Sequence, residues 1–266
     1  MGKNGKSVVG GVDIGSLSAE GLIMSEGKIL SYSIIPTGAE SSKTARRAME
    51  EALKSTGLAL EDLDFITATG YGRVVVPFAQ GNVSEISCHA RGSHYWFPNV
   101  RTVLDMGGQD CKGIRCDENG KVTNFVMNDK CAAGTGRFFE IMAAVMHLRL
   151  EDLGALSLEG DDTVPVSSAC AVFAKSEMVS LLRKGIDKKD ILAGLHAAIT
   201  SRVYALLKRV EVQGDFVMTG GIAKNIGIVK RVSERVGVDI LIPSEPQIAG
   251  ALGAAIFAAE MLDSKG

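Results

Sequence analysis

Gly11-Val12-Asp13-Ile14-Gly15-Ser16 and, about ninety residues later, Leu104-Asp105-Met106-Gly107-Gly108-Gln109 are two versions of one device. Each puts an acidic residue at the end of an apolar strand and follows it with a glycine turn. Outward from the first copy, strands are expected at 8–14, 19–25 and 28–35, with Glu26-Gly27 as the hairpin turn. The second copy has the same surroundings, with strands expected at 100–106, 111–117 and 121–127 and Asn119-Gly120 closing the turn. After the first hairpin come a helix over 42–56, a short strand at 64–68 and a partly helical stretch over 81–97. After the second come helices at 134–147, 174–184, 188–212, 224–236 and 247–262, with strands at 215–219 and 239–242. A strand–turn–strand cycle used twice predicts an α/β protein of two similar halves facing each other across a cleft. The halves are expected at 1–96 and 97–266, with the helix at 247–262 able to pack back on the first.

Glycine turns let backbone N–H groups converge on an anion without side-chain obstruction. Two such turns, one from each half, could grip a polyphosphate from both sides. Asp13 and Asp105 would then face the phosphates. Carboxylates beside phosphates repel unless a cation intervenes, so Mg²⁺ held partly through water is the natural companion. A third glycine element, Thr219-Gly220-Gly221-Ile222-Ala223, follows a strand and opens a helix, which permits close approach of a nucleoside. Any one of these turns, alone, is an ordinary turn; the three in this order are specific. Two other glycine stretches carry no such meaning. Gly5-Lys6-Ser7 has no preceding strand and no room for the first glycine of a P-loop, and Gly134-Thr135-Gly136 has Phe139 where a dinucleotide fingerprint needs its third glycine.

Composition closes off several function classes. Of 266 residues, 46% are apolar and 23% charged, which argues against disorder and against a coiled coil. The 29 basic and 31 acidic residues leave a formal charge of −2, so no basic surface for nucleic acid or anionic membrane is expected. The longest apolar run, 248–259, is too short to span a bilayer, and residues 1–7 lack the apolar core of a secretory signal. A cytoplasmic protein is expected, and with it five cysteines outside any disulfide framework.

Of those cysteines, Cys88, Cys111 and Cys116 read as buried thiols. Cys131, in Asn128-Asp129-Lys130-Cys131-Ala132-Ala133-Gly134-Thr135-Gly136-Arg137-Phe138, stands just before a helix, and so does Cys170 in Ser167-Ser168-Ala169-Cys170-Ala171-Val172-Phe173-Ala174. A helix N-terminus favours a thiolate or an anionic cluster. Two such cysteines are half of what a [4Fe–4S] cluster needs, and a twofold homodimer doubles every ligand on its axis. The four histidines show no ligand spacing.

Asp13-Ile14-Gly15-Ser16, Asp105-Met106-Gly107-Gly108-Gln109-Asp110 and Thr219-Gly220-Gly221 resemble the phosphate-1, phosphate-2 and adenosine motifs of the actin/Hsp70/sugar-kinase superfamily. That resemblance implies two ribonuclease-H-like halves and bound ATP/ADP. Joined to the two cysteine stretches, it becomes a resemblance to the ATP-dependent activators of 2-hydroxyacyl-CoA dehydratases. Benzoyl-CoA reductase ATPase subunits and reductases of double-cubane cluster proteins are similar. The resemblance covers nearly the whole chain, including Ala68-Thr69-Gly70-Tyr71-Gly72-Arg73, Ser84-Glu85-Ile86-Ser87-Cys88-His89-Ala90 and Gly250-Ala251-Leu252-Gly253-Ala254-Ala255.

The resemblance implies an ATPase that transfers single electrons to an iron–sulfur dehydratase or reductase, from one [4Fe–4S] cluster that bridges a homodimer through Cys131 and Cys170. A ferredoxin or flavodoxin would be the donor. Asp13 and Asp105 would hold Mg²⁺, and Gln109 could orient the attacking water. Gly15, Ser16, Leu17, Ser18, Ala19, Glu20, Gly107, Gly108 and Asp110 would surround the phosphates, and Gly220, Gly221 and Gln247 the adenosine end. Three features depart from the family pattern: Glu20 stands where the first loop usually ends in lysine, Cys170 lies between Ala169 and Ala171 rather than between threonines, and Ala174-Lys175 stands in place of Ala-Glu. Lost hydroxyl hydrogen bonds would retune the cluster's potential, and Lys175 in place of an acid would raise it if it lies near the cluster. A small-molecule kinase of the same fold, of the N-acetylhexosamine type, is the rival reading; it would need a catalytic base, and the sequence offers no clear candidate.

Overall fold

The computed structural model describes residues 7–128, 134–161, 164–166 and 171–264. Cys131 and Cys170 lie outside the described residues. The chain divides into two units, one made of Met1–Val100, Cys116–Thr123 and Pro243–Gly266, the other of Arg101–Arg115 and Asn124–Ile242.

The first unit is built on β1 (Val8–Ile14), β2 (Ser18–Ser25), β3 (Lys28–Pro36), β4 (Phe65–Thr69) and β5 (Gly81–Asn82), in the order β3-β2-β1-β4-β5. β1 pairs antiparallel with β2 and parallel with β4. Every residue of β1 is buried, as expected of a strand covered on both faces. The period of two assigns those faces. Val8, Val12 and Ile14 pack with α1 (Ser41–Leu53). Val9 packs with α8 (Ala249–Asp263), and Gly11 and Asp13 share its side of the strand. α8 also lies against α2 (Glu85–Trp96). The turn at 116–123 is tied to α2, where Arg91 donates to the Asn119 carbonyl and His94 Nε2 to that of Glu118 (2.9 Å).

The second unit repeats the plan. β6 (Val100–Met106), β7 (Cys111–Cys116), β8 (Val122–Asn128), β9 (Asp215–Thr219) and β10 (Ile240–Leu241) run in the order β8-β7-β6-β9-β10. Numbered within its own half, each sheet is therefore 3-2-1-4-5. In both, the first two strands are antiparallel and the last two parallel. The repeat foreseen from two short loops thus extends to the whole sheet topology. Against this sheet pack α3 (Gly136–Met146), α4 (Asp152–Ser157), α5 (Ala171–Arg183), α6 (Lys188–Val210) and α7 (Ile226–Val236). Phe138, Phe139, Met142, Leu192, Leu195 and Phe216 are fully buried among them. Each such side chain contributes about 1.5–3 kcal/mol of transfer free energy.

The short α4 is absent from the sequence expectation. Its six residues are too few for a period of 3.6 to show. Among the described residues, no helix is long and apolar enough to cross a membrane.

Candidate functional site

In the first unit Asp13 is 7% exposed at the end of β1. Gly15 N–H donates to the Ser18 carbonyl (3.0 Å), and Thr37 Oγ1–H to that of Gly15 (2.9 Å), so the Gly15–Ser18 turn is held from two sides. Ser16 is exposed at its tip, and Ala19 and Glu20 return into the buried part of β2. Asp13 is opposed by Glu20 on β2 and by Thr69 on β4. Gly70, next in the chain, has φ +83°; a Cβ there would lie 2.3 Å from Asp13 Oδ1. On the α8 side a Cβ at Gly250 would lie 1.9 Å from Asp13 Oδ2. Glycine at these places leaves room for the carboxylate. His89, on α2, brings its Nε2 to 3.9 Å from Asp13 Oδ2. Sequence spacing gives no sign of His89, because it reaches Asp13 from a different element.

The second unit carries the matching set. Asp105 is 2% exposed at the end of β6. Its Oδ1 accepts from the Thr219 hydroxyl (3.1 Å) and its Oδ2 from the Lys112 ammonium (3.2 Å). Gly220 has φ +82°, and a Cβ there would lie 2.4 Å from the Met106 carbonyl oxygen and 2.9 Å from Asp105 Oδ1. Asp105 with Thr219-Gly220 thus repeats Asp13 with Thr69-Gly70. The cross-strand partners have opposite signs: Glu20 faces Asp13, and Lys112 faces Asp105. Lys112 is a site neighbour that sequence reasoning misses, since a lysine in a short strand reads as a solvated face.

The Gly107–Asp110 turn is closed by Gly107 N–H donating to the Asp110 carbonyl (3.0 Å), which leaves Gln109 exposed. The turn is also bonded to α3: Gly136 N–H donates to Gly107 O (2.9 Å) and Arg137 N–H to Gly108 O (2.8 Å). These are N–H groups that a helix cannot satisfy by itself. Gly221 is exposed just after Gly220, in the second unit. Gln247 belongs to the first unit, where its N–H donates to Glu245 Oε1 (3.1 Å).

Cys88, Cys111 and Cys116 are free and buried. Burial pushes the Cys88 and Cys111 thiols up to about 12, so both stay protonated and unreactive. Among the described residues no group of three or more His, Cys, Asp or Glu is arranged to hold a metal ion. Mg²⁺ taken with phosphate oxygens and water needs fewer protein donors, and carboxylates such as those of Asp13 and Asp105 are the hard oxygen ligands that it accepts.

Residues 10–258 match the BadF/BadG/BcrA/BcrD ATPase family profile. The sequence is 46% identical over 250 residues to the (R)-2-hydroxyglutaryl-CoA dehydratase activating ATPase of Acidaminococcus fermentans, covering 93% of this chain and 95% of that protein. The solved activator of the 2-hydroxyisocaproyl-CoA dehydratase from Clostridium difficile, with bound ADPNP, superposes with a TM-score of 0.91. It is 41% identical and covers 98% of this chain and 96% of its own. A ROK family glucokinase from Streptomyces griseus shares the fold alone, with a TM-score of 0.59 at 14% identity, over 96% of this chain and 100% of its own.

Proposed function

Because the chain belongs to the BadF/BadG/BcrA/BcrD ATPase family, we propose that it uses ATP hydrolysis to drive one-electron transfer to a separate iron–sulfur enzyme. That acceptor is a 2-hydroxyacyl-CoA dehydratase, a benzoyl-CoA reductase or a double-cubane cluster protein. Relatives that activate such dehydratases at 41% and 46% identity favour the first.

The observation that carries the reading is the pair of hydrogen bonds from Gly136 and Arg137 to the carbonyls of Gly107 and Gly108. They join the glycine loop proposed to meet phosphate to the first turn of α3, five residues beyond Cys131 in the case of Gly136. A nucleotide shifts only an equilibrium between states that it binds with different affinity. Bonds between that loop and the helix after Cys131 give it a route to do so.

In this reading Asp13 and Asp105 hold Mg²⁺ and its water, and Gln109, free at its turn's tip, orients the attacking water. Gly15 to Ser18 and Gly107 to Gly108 offer backbone N–H groups to phosphate, with Ala19, Glu20 and Asp110 behind them. Gly220, Gly221 and Gln247 serve the adenosine end. Cys131 and Cys170 supply two thiolates, and the same pair from a second copy completes four. A [4Fe–4S] cluster so held would accept and release one electron at a time, reloaded by a ferredoxin or flavodoxin.

The test is anaerobic purification. A brown homodimer with about four iron atoms is expected. Cys131→Ala and Cys170→Ala should each lose the iron, and the intact protein should pass electrons to an acceptor only with Mg²⁺–ATP. A colourless protein that phosphorylates a sugar would sink the proposal.

A further inference from the structure

Lys112 is almost wholly enclosed, with 1% of its side chain exposed. Its ammonium lies 2.7 Å from Asp110 Oδ1 and 3.2 Å from Asp105 Oδ2. An ammonium taken out of water is tolerated only with partners of this kind. The repeated fold does not itself demand a cation here, because the matching position of the first hairpin holds Glu20. Nor is Lys112 the sole anchor of Asp105, whose other oxygen accepts from Thr219. Its position is therefore one of charge, beside a carboxylate proposed to meet a metal.

We infer that Lys112 makes this loop selective for the charge state of its ligand, refusing a bare divalent cation and admitting the same cation as a metal–nucleotide complex. The inference rests on the nucleotide reading above and deepens it. A bare dication at Asp105 must approach an ammonium already bound to that carboxylate, and like charges a few ångströms apart repel strongly where water is excluded. The metal–nucleotide complex carries net negative charge, so the same ammonium attracts it. Lys112 also keeps Asp105 and Asp110 from facing one another uncompensated while the loop is empty. It acts through Asp105 and is thus a positioning residue.

The prediction has two arms of opposite sign. Bare Mn²⁺, followed by the electron paramagnetic resonance of the free ion, should bind Lys112→Met about tenfold or more tighter than the unsubstituted protein. Mn²⁺–ADP, followed by titration calorimetry, should bind the variant severalfold more weakly. Lys112→Gln, which can still hydrogen-bond Asp110, gives the same signs should the methionine variant fail to fold. A lysine with only a structural role would weaken both ligands together, and that result, or an unchanged affinity for bare Mn²⁺, overturns the inference. If the unsubstituted protein binds no Mn²⁺–ADP, the nucleotide reading falls and the inference with it. If it binds Mn²⁺–ADP normally and only the variants disobey, the inference alone falls.

Discussion

His196 shows how one residue can make stability depend on pH. Its ring is fully buried on α6, with Nδ1 2.8 Å from the Leu192 carbonyl and Nε2 3.2 Å from Asn225 Nδ2. Nδ1 must carry the proton, since a carbonyl only accepts, and Nε2 must accept from the Asn225 amide. Asn225 Oδ1 in turn accepts from Ile228 N–H (3.1 Å) and caps α7. Burial pushes the imidazole down to about 4, against the opposing pull of the Leu192 carbonyl and of Asn225, whose Oδ1 lies 3.3 Å from Nε2. The folded value lies below the unfolded one, so the unfolded chain takes up the proton first as pH falls. Stability is complete above about pH 6.5 and is lost between there and about pH 4, by about 3 kcal/mol in all. Urea unfolding at pH 7.5 and pH 5 should differ by about 2 kcal/mol less in His196→Gln than in the unsubstituted protein. An equal pH dependence in the two would show that His196 is protonated in the fold.

At the scale of elements, α2, α8 and β1 meet at backbone contact. A Cβ at Gly253 in α8 would lie 1.9 Å from the Cys88 carbonyl oxygen of α2, and one at Gly11 in β1 2.0 Å from that of Ala251. Glycine to alanine inside a helix normally gains about 1 kcal/mol. At Gly253 the sign should reverse, because a backbone carbonyl cannot turn aside as a side-chain tip can. Gly253→Ala should lose about 3 kcal/mol, read as a lower urea midpoint with unchanged slope; a gain would mean that α8 rides further from α2. This contact also marks a limit of sequence reading. The final helix is plain from its composition, but buried residues run without a break from Ala249 to Ala255, so no apolar stripe says what it faces. α2 is legible only in part, because His89 and Ser93 put polar groups on its buried side. The hairpins are the opposite case: β1 runs over 8–14 as expected, and β2 begins one residue earlier than expected.

For the whole molecule, duplication is the organising fact, and it decides what a sequence can reveal. Asp13 and Asp105 stand out because each ends a strand and precedes glycine, a local pattern. Thr69-Gly70 and Thr219-Gly220 complete the same carboxylate surroundings from the fourth strand of each sheet, yet only the second pair shows a site role beforehand, through the helix-opening glycines after it; the first stands out only as part of a family resemblance. Lys112 and His89 arrive across a sheet or from a helix, and nothing local marks them. The halves are alike in topology and unlike in charge, since Glu20 faces Asp13 and Lys112 faces Asp105. Ligand that binds only the folded state adds about 2.7 kcal/mol at a hundredfold excess over its Kd. For a chain of this size Mg²⁺–ADP should therefore raise the melting temperature by about 5–10 °C. At the same nucleotide concentration Asp13→Asn and Asp105→Asn should each shrink that rise. Asp105→Asn also takes a carboxylate away from the buried Lys112, which still has Asp110 beside it, so its melting point without nucleotide must be taken as its own baseline. A full rise in either variant would place that carboxylate outside the metal's reach.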